Sequence, residues 1–200
     1  MAYVVMGHQS TGYIVPASDW NQIIDNIAYL HDQVSANIWL SGAGGWASIT
    51  SGAGAGGLME LSTNKQNLKY ISFADGAYSY AEWGFAMPDD WNGGTITAMF
   101  YWLHPATTVN FGVVFGLQGR AYGDNEALDQ AWGTEVVAAD TGGTTSNLYI
   151  TPATGAITLA GTPAAGEHVQ FRCRRVYDHA SDNMAVAAYL LGIKLVYTRS

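Results

Sequence analysis

The sequence predicts a mainly β protein, a jelly-roll-like antiparallel β-sandwich preceded by an N-terminal α-helix and a glycine-rich arm. Three observations carry this. From residue 68 onward, short runs rich in aromatic and β-branched residues alternate with turn clusters such as "DTGG", "PATG", "GTPAAGE" and "DHASDN". Only 12% of the 200 residues are charged while 48% are hydrophobic, and there are 24 Gly, 7 Trp and 12 Tyr. That balance belongs to strands and tight turns and is the opposite of what disorder needs. One stretch alone, near the N-terminus, carries a helical period.

The opening "MAYVVMGHQSTGY" has neither a basic leader nor a long apolar run, so no signal peptide is expected. No apolar run along the chain reaches transmembrane length, so membrane insertion is not expected either. The first element is a helix at about 18–34, "SDWNQIIDNIAYLHDQV". Ser18 is the natural N-cap, and Asp19 suits the positive end of the helix dipole. Trp20, Ile23, Ile27, Leu30 and Val34 step by three and four, an a/d seam that Ile24 widens. Such a seam either packs on its own domain or meets symmetry mates about a shared axis.

Residues 40–57, "LSGAGGWASITSGAGAGG", offer little apolar area against a large ordering entropy and read as a linker or an extended arm. The chain then divides into an N-terminal segment with the helix (1–39), a Gly/Ala/Ser-rich linker or arm (40–67) and a sandwich domain (68–200).

Within the last, strands are expected at "LKYISFA", "YSYAEWGFA", "TITAMFYWL", "VNFGVVFGLQGRAY", "NLYIT", "AITLAG", "EHVQFRCRRVY" and "YLLGIKLVYT". In "TITAMFYWL", Ile96, Ala98, Phe100 and Trp102 share one face. The insertion "GDNEALDQAWG", residues 123–133, reads as a short capped helix covering one open end.

Candidate sites are few. "MPDDWNGG" reads as a turn: Pro88 fixes one φ, Asp89 and Asp90 bond locally, and Gly93-Gly94 allow positive φ. Trp91 either folds back on the sandwich or stacks on a sugar ring, which makes it the candidate glycan contact. The spacing of a calcium loop is absent there. "DHASD" at residues 178–182 holds Asp, His and Ser but lacks any nucleophile elbow, so a polar hairpin loop is expected.

The five histidines lack metal-ligand spacing, no paired carboxylates can be nominated, and the glycine-rich stretch lacks a P-loop lysine. The chain reads as a non-enzyme with no metal and no cofactor. Cys173, the only cysteine, shares a face with Val169 and Phe171 and reads as a buried thiol. A net charge of -8 argues against nucleic acid. Arg172 and Arg174 share a strand face, where they can pair with carboxylates of a neighbour.

The segments "FAMPDDWNGGTITAMFYW", "GLQGRAYGDNEALDQAWGT" and "GTPAAGEHVQFRCRRVYDHASDNMAVAAYLLGIKLVYT" resemble a family of small structural proteins of tailed bacteriophages. "PASDWNQIIDNIAYL" is similar to an N-terminal element of phage tail and fibre proteins. The resemblance implies a virion component, assembled in the host cytoplasm, with other virion proteins of tail or capsid as partners and no catalytic residues. A fibre-type tail protein is the leading expectation, attached through the N-terminal helix and arm with a projecting sandwich, and with a self-associated homotrimer and a host-surface glycan as a partner. A head decoration or cement protein with its arm spread over the capsid is the near alternative, and a free carbohydrate-binding module is the third.

Overall fold

The computed structural model describes residues 16–32, 35–105 and 111–200. Helix α1 (Ala17–Asp32) is followed by β1 (Ser35–Ser41), a 3₁₀ turn at Gly42–Gly44, β2 (Trp46–Ala47), β3 (Gly54–Glu60) and β4 (Asn67–Phe73). Then come β5 (Tyr80–Ala86), β6 (Thr97–Leu103), β7 (Phe111–Tyr122), β8 (Val136–Gly142), β9 (Tyr149–Ile150), β10 (His168–Arg175) and β11 (Ala188–Thr198). The strands make a jelly-roll-like sandwich of two sheets. The first runs β3-β4-β11-β6-β9, and the second runs β2-β5-β10-β7-β8. Every ladder between these strands is antiparallel.

The long strand β11 organises the first sheet. One edge pairs with β6. Along the other, Ala188–Leu190 pairs with β4 and Gly192–Thr198 with β1. A register shift between Leu190 and Gly192 resets the alternation, so Leu190 and Ile193 both point inward and both are fully buried. Opposite the break, the ring of Trp39 lies where a Cβ on Gly192 would stand, 2.2 Å from its nearest atom, which only glycine allows.

The core lies between the two inner faces. Ala98, Phe100 and Trp102 on β6, with Ile96 just before it, are all at most 1% exposed, as the alternation predicts. Val169, Phe171 and Cys173 on β10 are fully buried opposite them. Phe115 on β7 links the layers, stacking on Phe100 at 5.2 Å and meeting Phe73 edge-on at 6.0 Å. The Trp102 indole donates to the Asp140 carboxylate on β8 at 2.9 Å, tying the sheets at their far edge.

Four expectations change. The segment 40–67 is not a linker. It crosses from the first sheet (β1) to the second (β2) and back (β3), and its small residues serve those crossings. A Cβ on Gly45 would meet the Trp83 ring at 2.5 Å, and the Trp83 indole donates to the Ser41 carbonyl at 2.9 Å. The boundary at residue 39 falls inside β1, so the sandwich begins at Ser35 rather than at 68.

Residues 123–133 form no helix. Asn125 adopts φ +61°, which breaks a helical turn, and the segment instead doubles back along β7. There Tyr122 donates its hydroxyl to the Leu128 carbonyl and Arg120 reaches the Ala131 carbonyl. "AITLAG" contributes only isolated bridges, Ile96 to Ile157 and Arg120 to Ala160, while β8 arises in "VVAADTG". Finally, "DHASD" does not close a hairpin, because β10 and β11 lie in different sheets and the loop passes between them.

Candidate functional site

Helix α1 begins one residue earlier than its sequence implies. The Pro16 carbonyl accepts the amides of Asp19 and Trp20 at 3.0 and 3.1 Å, so Pro16 occupies the cap position and Ser18 sits inside the first turn. The Ser18 hydroxyl donates to the Asp19 carboxylate at 3.3 Å instead of capping. The apolar face forms as expected, but among the described residues nothing covers it. Trp20, Ile24, Ile27 and Leu30 are 55, 60, 62 and 52% exposed, and Ile23 is half-buried. Val34 lies outside the described residues. Exposed apolar stripes of this extent are the kind of surface that marks contact sites in other proteins.

Trp91 is 1% exposed and offers no face to a sugar, which removes it as a glycan contact. The turn that carries it is built largely as predicted. The Trp91 amide donates to the Pro88 carbonyl, Asn92 accepts the Gly94 amide at 2.8 Å, and Gly93 takes φ +73°. Asp90 does not bond locally as expected. Its carboxylate accepts the Tyr197 hydroxyl and pairs with Arg199, both at the end of β11. Trp91 therefore closes one end of the core.

Arg172, Arg174 and Arg175, the one local basic cluster in the sequence, take three different roles. Arg174 pairs with Glu135 through Nε and Nη2, the latter at 2.7 Å, and that carboxylate holds the guanidinium firmly protonated. Arg175 points inward and is fully buried, as is the Asp182 carboxylate that grips its Nε and Nη2. Its remaining donors reach the carbonyls of Val186 and Met184. Arg172 stays on the outer face between Tyr80 and Trp132.

The hydrolase-like "DHASD" is thereby occupied with structure. His179 Nδ1 accepts the Ser181 amide, not its hydroxyl, and Asp182 serves Arg175. Burial pushes the Cys173 thiol well above its usual range, so little reactive thiolate forms. Among the described residues no group of three or more His, Cys, Asp or Glu could hold a metal, and no helix is long and apolar enough to cross a membrane.

Sequence reasoning missed the outward Trp46 and Glu82 of the second sheet and Trp132 in the loop before β8. Their signal is weak: Trp46 and Trp132 sit in segments read as an arm and a short helix, and Glu82 is a lone carboxylate in a strand read correctly.

No protein-family model and no curated protein matches the chain. Among solved structures it is similar to the CBM22-2 xylan-binding domain from Paenibacillus barcinonensis Xyn10C, at 10% identity over 80% of this chain and 99% of that one, with a TM-score of 0.48. It is similar to a non-crystalline cellulose specific carbohydrate-binding module, CBM28, at 12% identity over 78% and 85%, with a TM-score of 0.40. A structure of infectious bursal disease virus, Gx strain, aligns at 8% identity over 84% of this chain and 34% of that one, with a TM-score of 0.35.

Proposed function

We propose that the chain is a non-catalytic structural subunit of a tailed-phage particle, of the tail-fibre type, in which α1 joins copies of the chain and the sandwich is displayed. The observation that supports this most directly is the uncovered seam of α1, next to a sandwich that has already filled its own core. A/d spacing is the spacing at which like helices pack, with each knob entering a hole of its neighbour. Two heptads are marginal alone, but copies held together by packed sandwiches raise each other's effective concentration. A homotrimer is the assembly proposed.

The sequence resemblance supplies the particle. The decoration alternative leaned on a free arm spread over capsid subunits, and the residues assigned to that arm are strands of the sandwich. The fibre reading gave that arm a share of the attachment too, and it keeps α1 for that role.

Light scattering of the full chain tests the assembly. The expected mass is three times 21.4 kDa. Replacing Ile23 and Ile27 together by Asp is expected to give a monomer with an unchanged near-UV spectrum. A variant that keeps the wild-type mass would show that the seam does not join copies. Antibody labelling of intact particles tests the placement: label on fibres is expected, and label spread over the head lattice would restore the decoration alternative.

A further inference from the structure

The outer face of the second sheet carries a straight row of side chains that the core does not use. Strand register sets Trp46 on β2 beside Glu82 on β5, Glu82 beside Arg172 on β10, and Arg172 beside Gln118 on β7. Gln118 is itself buried, so the accessible row runs from Trp46 to Arg172, two inter-strand spacings of about 4.8 Å or about 10 Å in all. Against it lies an open groove of about 530 Å³, lined by residues 46–51 with Tyr80, Glu82 and Arg172.

The polar groups are held before any ligand arrives. The Arg172 guanidinium lies 4.6 Å from the Tyr80 ring and 4.7 Å from the Trp132 ring. With the Gln118 amide oriented to satisfy both its neighbours, its oxygen accepts from Arg172 Nε and Nη2 at 2.8 and 2.7 Å. Glu82 is fixed from two sides, by the Ser48 hydroxyl at 2.5 Å and the Gln170 amide at 3.0 Å. Beside these set groups stands Trp46, 46% exposed, and Ile49 is fully in solvent at the rim.

We propose that this row binds a neutral oligosaccharide. A guanidinium only donates and a carboxylate only accepts, so the adjacent pair can read neighbouring hydroxyls, each of which does both. An exposed indole matches the apolar C–H face of a pyranose ring while the hydroxyls at its edge remain free to bond. Preorganised side chains lose little rotamer freedom on binding, which suits a ligand as strongly hydrated as a sugar. An anionic ligand fits worse, since Glu82 sits in the middle of the row and the chain carries a net charge of -8. The accessible row spans about 10 Å, which fits two or more linked sugar rings better than a single small molecule. This proposal does not rest on the fibre reading, because it concerns a face of the sandwich whatever α1 joins.

The test is a glycan microarray of neutral and acidic oligosaccharides probed with the labelled full chain, together with Trp46→Ala, Glu82→Gln and Arg172→Ala. Neutral oligosaccharides should be retained. Each substitution should weaken that binding about tenfold or more, the effect of losing one central aromatic or charged contact. Trp46→Ala and Glu82→Gln should leave thermal unfolding and solution mass unchanged, which separates loss of binding from loss of fold or assembly. Retention of no glycan, retention of acidic glycans alone, or wild-type binding by folded Trp46→Ala and Glu82→Gln would overturn the proposal.

Discussion

Trp91 turns inward because the backbone on both sides of it is tied to the end of β11. The Asn92 amide donates to the Thr198 carbonyl, and Asp90 receives the Tyr197 hydroxyl and the Ser200 amide. With its flanks fixed, the largest side chain of the turn has only the open end of the core to fill. Its indole N–H finds no acceptor among the described residues, so its contribution is packing rather than hydrogen bonding. Trp91→Ala is therefore expected to lower stability by about 3–5 kcal/mol, read as a drop in the denaturant midpoint. Trp91→Phe should cost clearly less, since it removes volume without stranding a partner. A loss under about 0.5 kcal/mol for the alanine variant would mean a surface residue instead.

At the scale of elements, the loop between β10 and β11 depends on one buried ion pair. Asp182 grips Arg175 and also accepts the Val114 amide at 2.9 Å, so a single carboxylate fastens the crossing loop to β7 as well. Arg175→Met should destabilise by about 3–5 kcal/mol, because it leaves Asp182 buried without its counter-charge. Adding Asp182→Leu should recover only part of that loss. The buried charge is gone, yet the Val114 amide is left unsatisfied at a cost of about 1–3 kcal/mol. Chemical denaturation of the two variants checks both steps, and full recovery in the double variant would mean that the amide bond to Asp182 contributes nothing.

Elements also differ in how plainly the sequence announces them. Strands β6 and β10 are legible because one face is wholly buried, so every second residue must be apolar. Strand β3, "GAGGLME", carries no such pattern. It lies at a sheet edge and contributes almost no buried side chain, so pairing with β4 rather than burial defines it. Arg172, Arg174 and Arg175 look alike in a row, but alternation sends only the third inward, where a partner seven residues on receives it. The seam of α1 is legible in spacing, and its exposure among the described residues is not, since exposure depends on the fold around it. The row from Trp46 to Gln118 is the least legible of all, because it joins four strands scattered over more than a hundred residues.

For the whole molecule, the consequence is a change in where the independent folding unit begins. β1 occupies the edge of β11 from Gly192 to Thr198, β2 extends the second sheet, and Leu40 and Ala53 belong to the core at 4 and 5% exposure. A chain starting at residue 68 would strip that edge of β11, open the core beside Trp83 and leave unpaired backbone facing water, the arrangement that invites edge-to-edge aggregation. A chain starting at Ser35 keeps every strand and lacks residues 1–34, of which α1 leaves its apolar face largely exposed. The 35–200 fragment is therefore expected to fold as a monomer, unfold cooperatively and keep a Tm within about 4 °C of the helix-disrupted full chain, the shift that about 1 kcal/mol makes at this size. The 68–200 fragment should aggregate or lose its near-UV spectrum. If 68–200 instead melts cooperatively at the same temperature as 35–200, then β1, β2 and β3 add nothing to the stability of the sandwich, and residues 40–67 act as an arm laid over a complete domain.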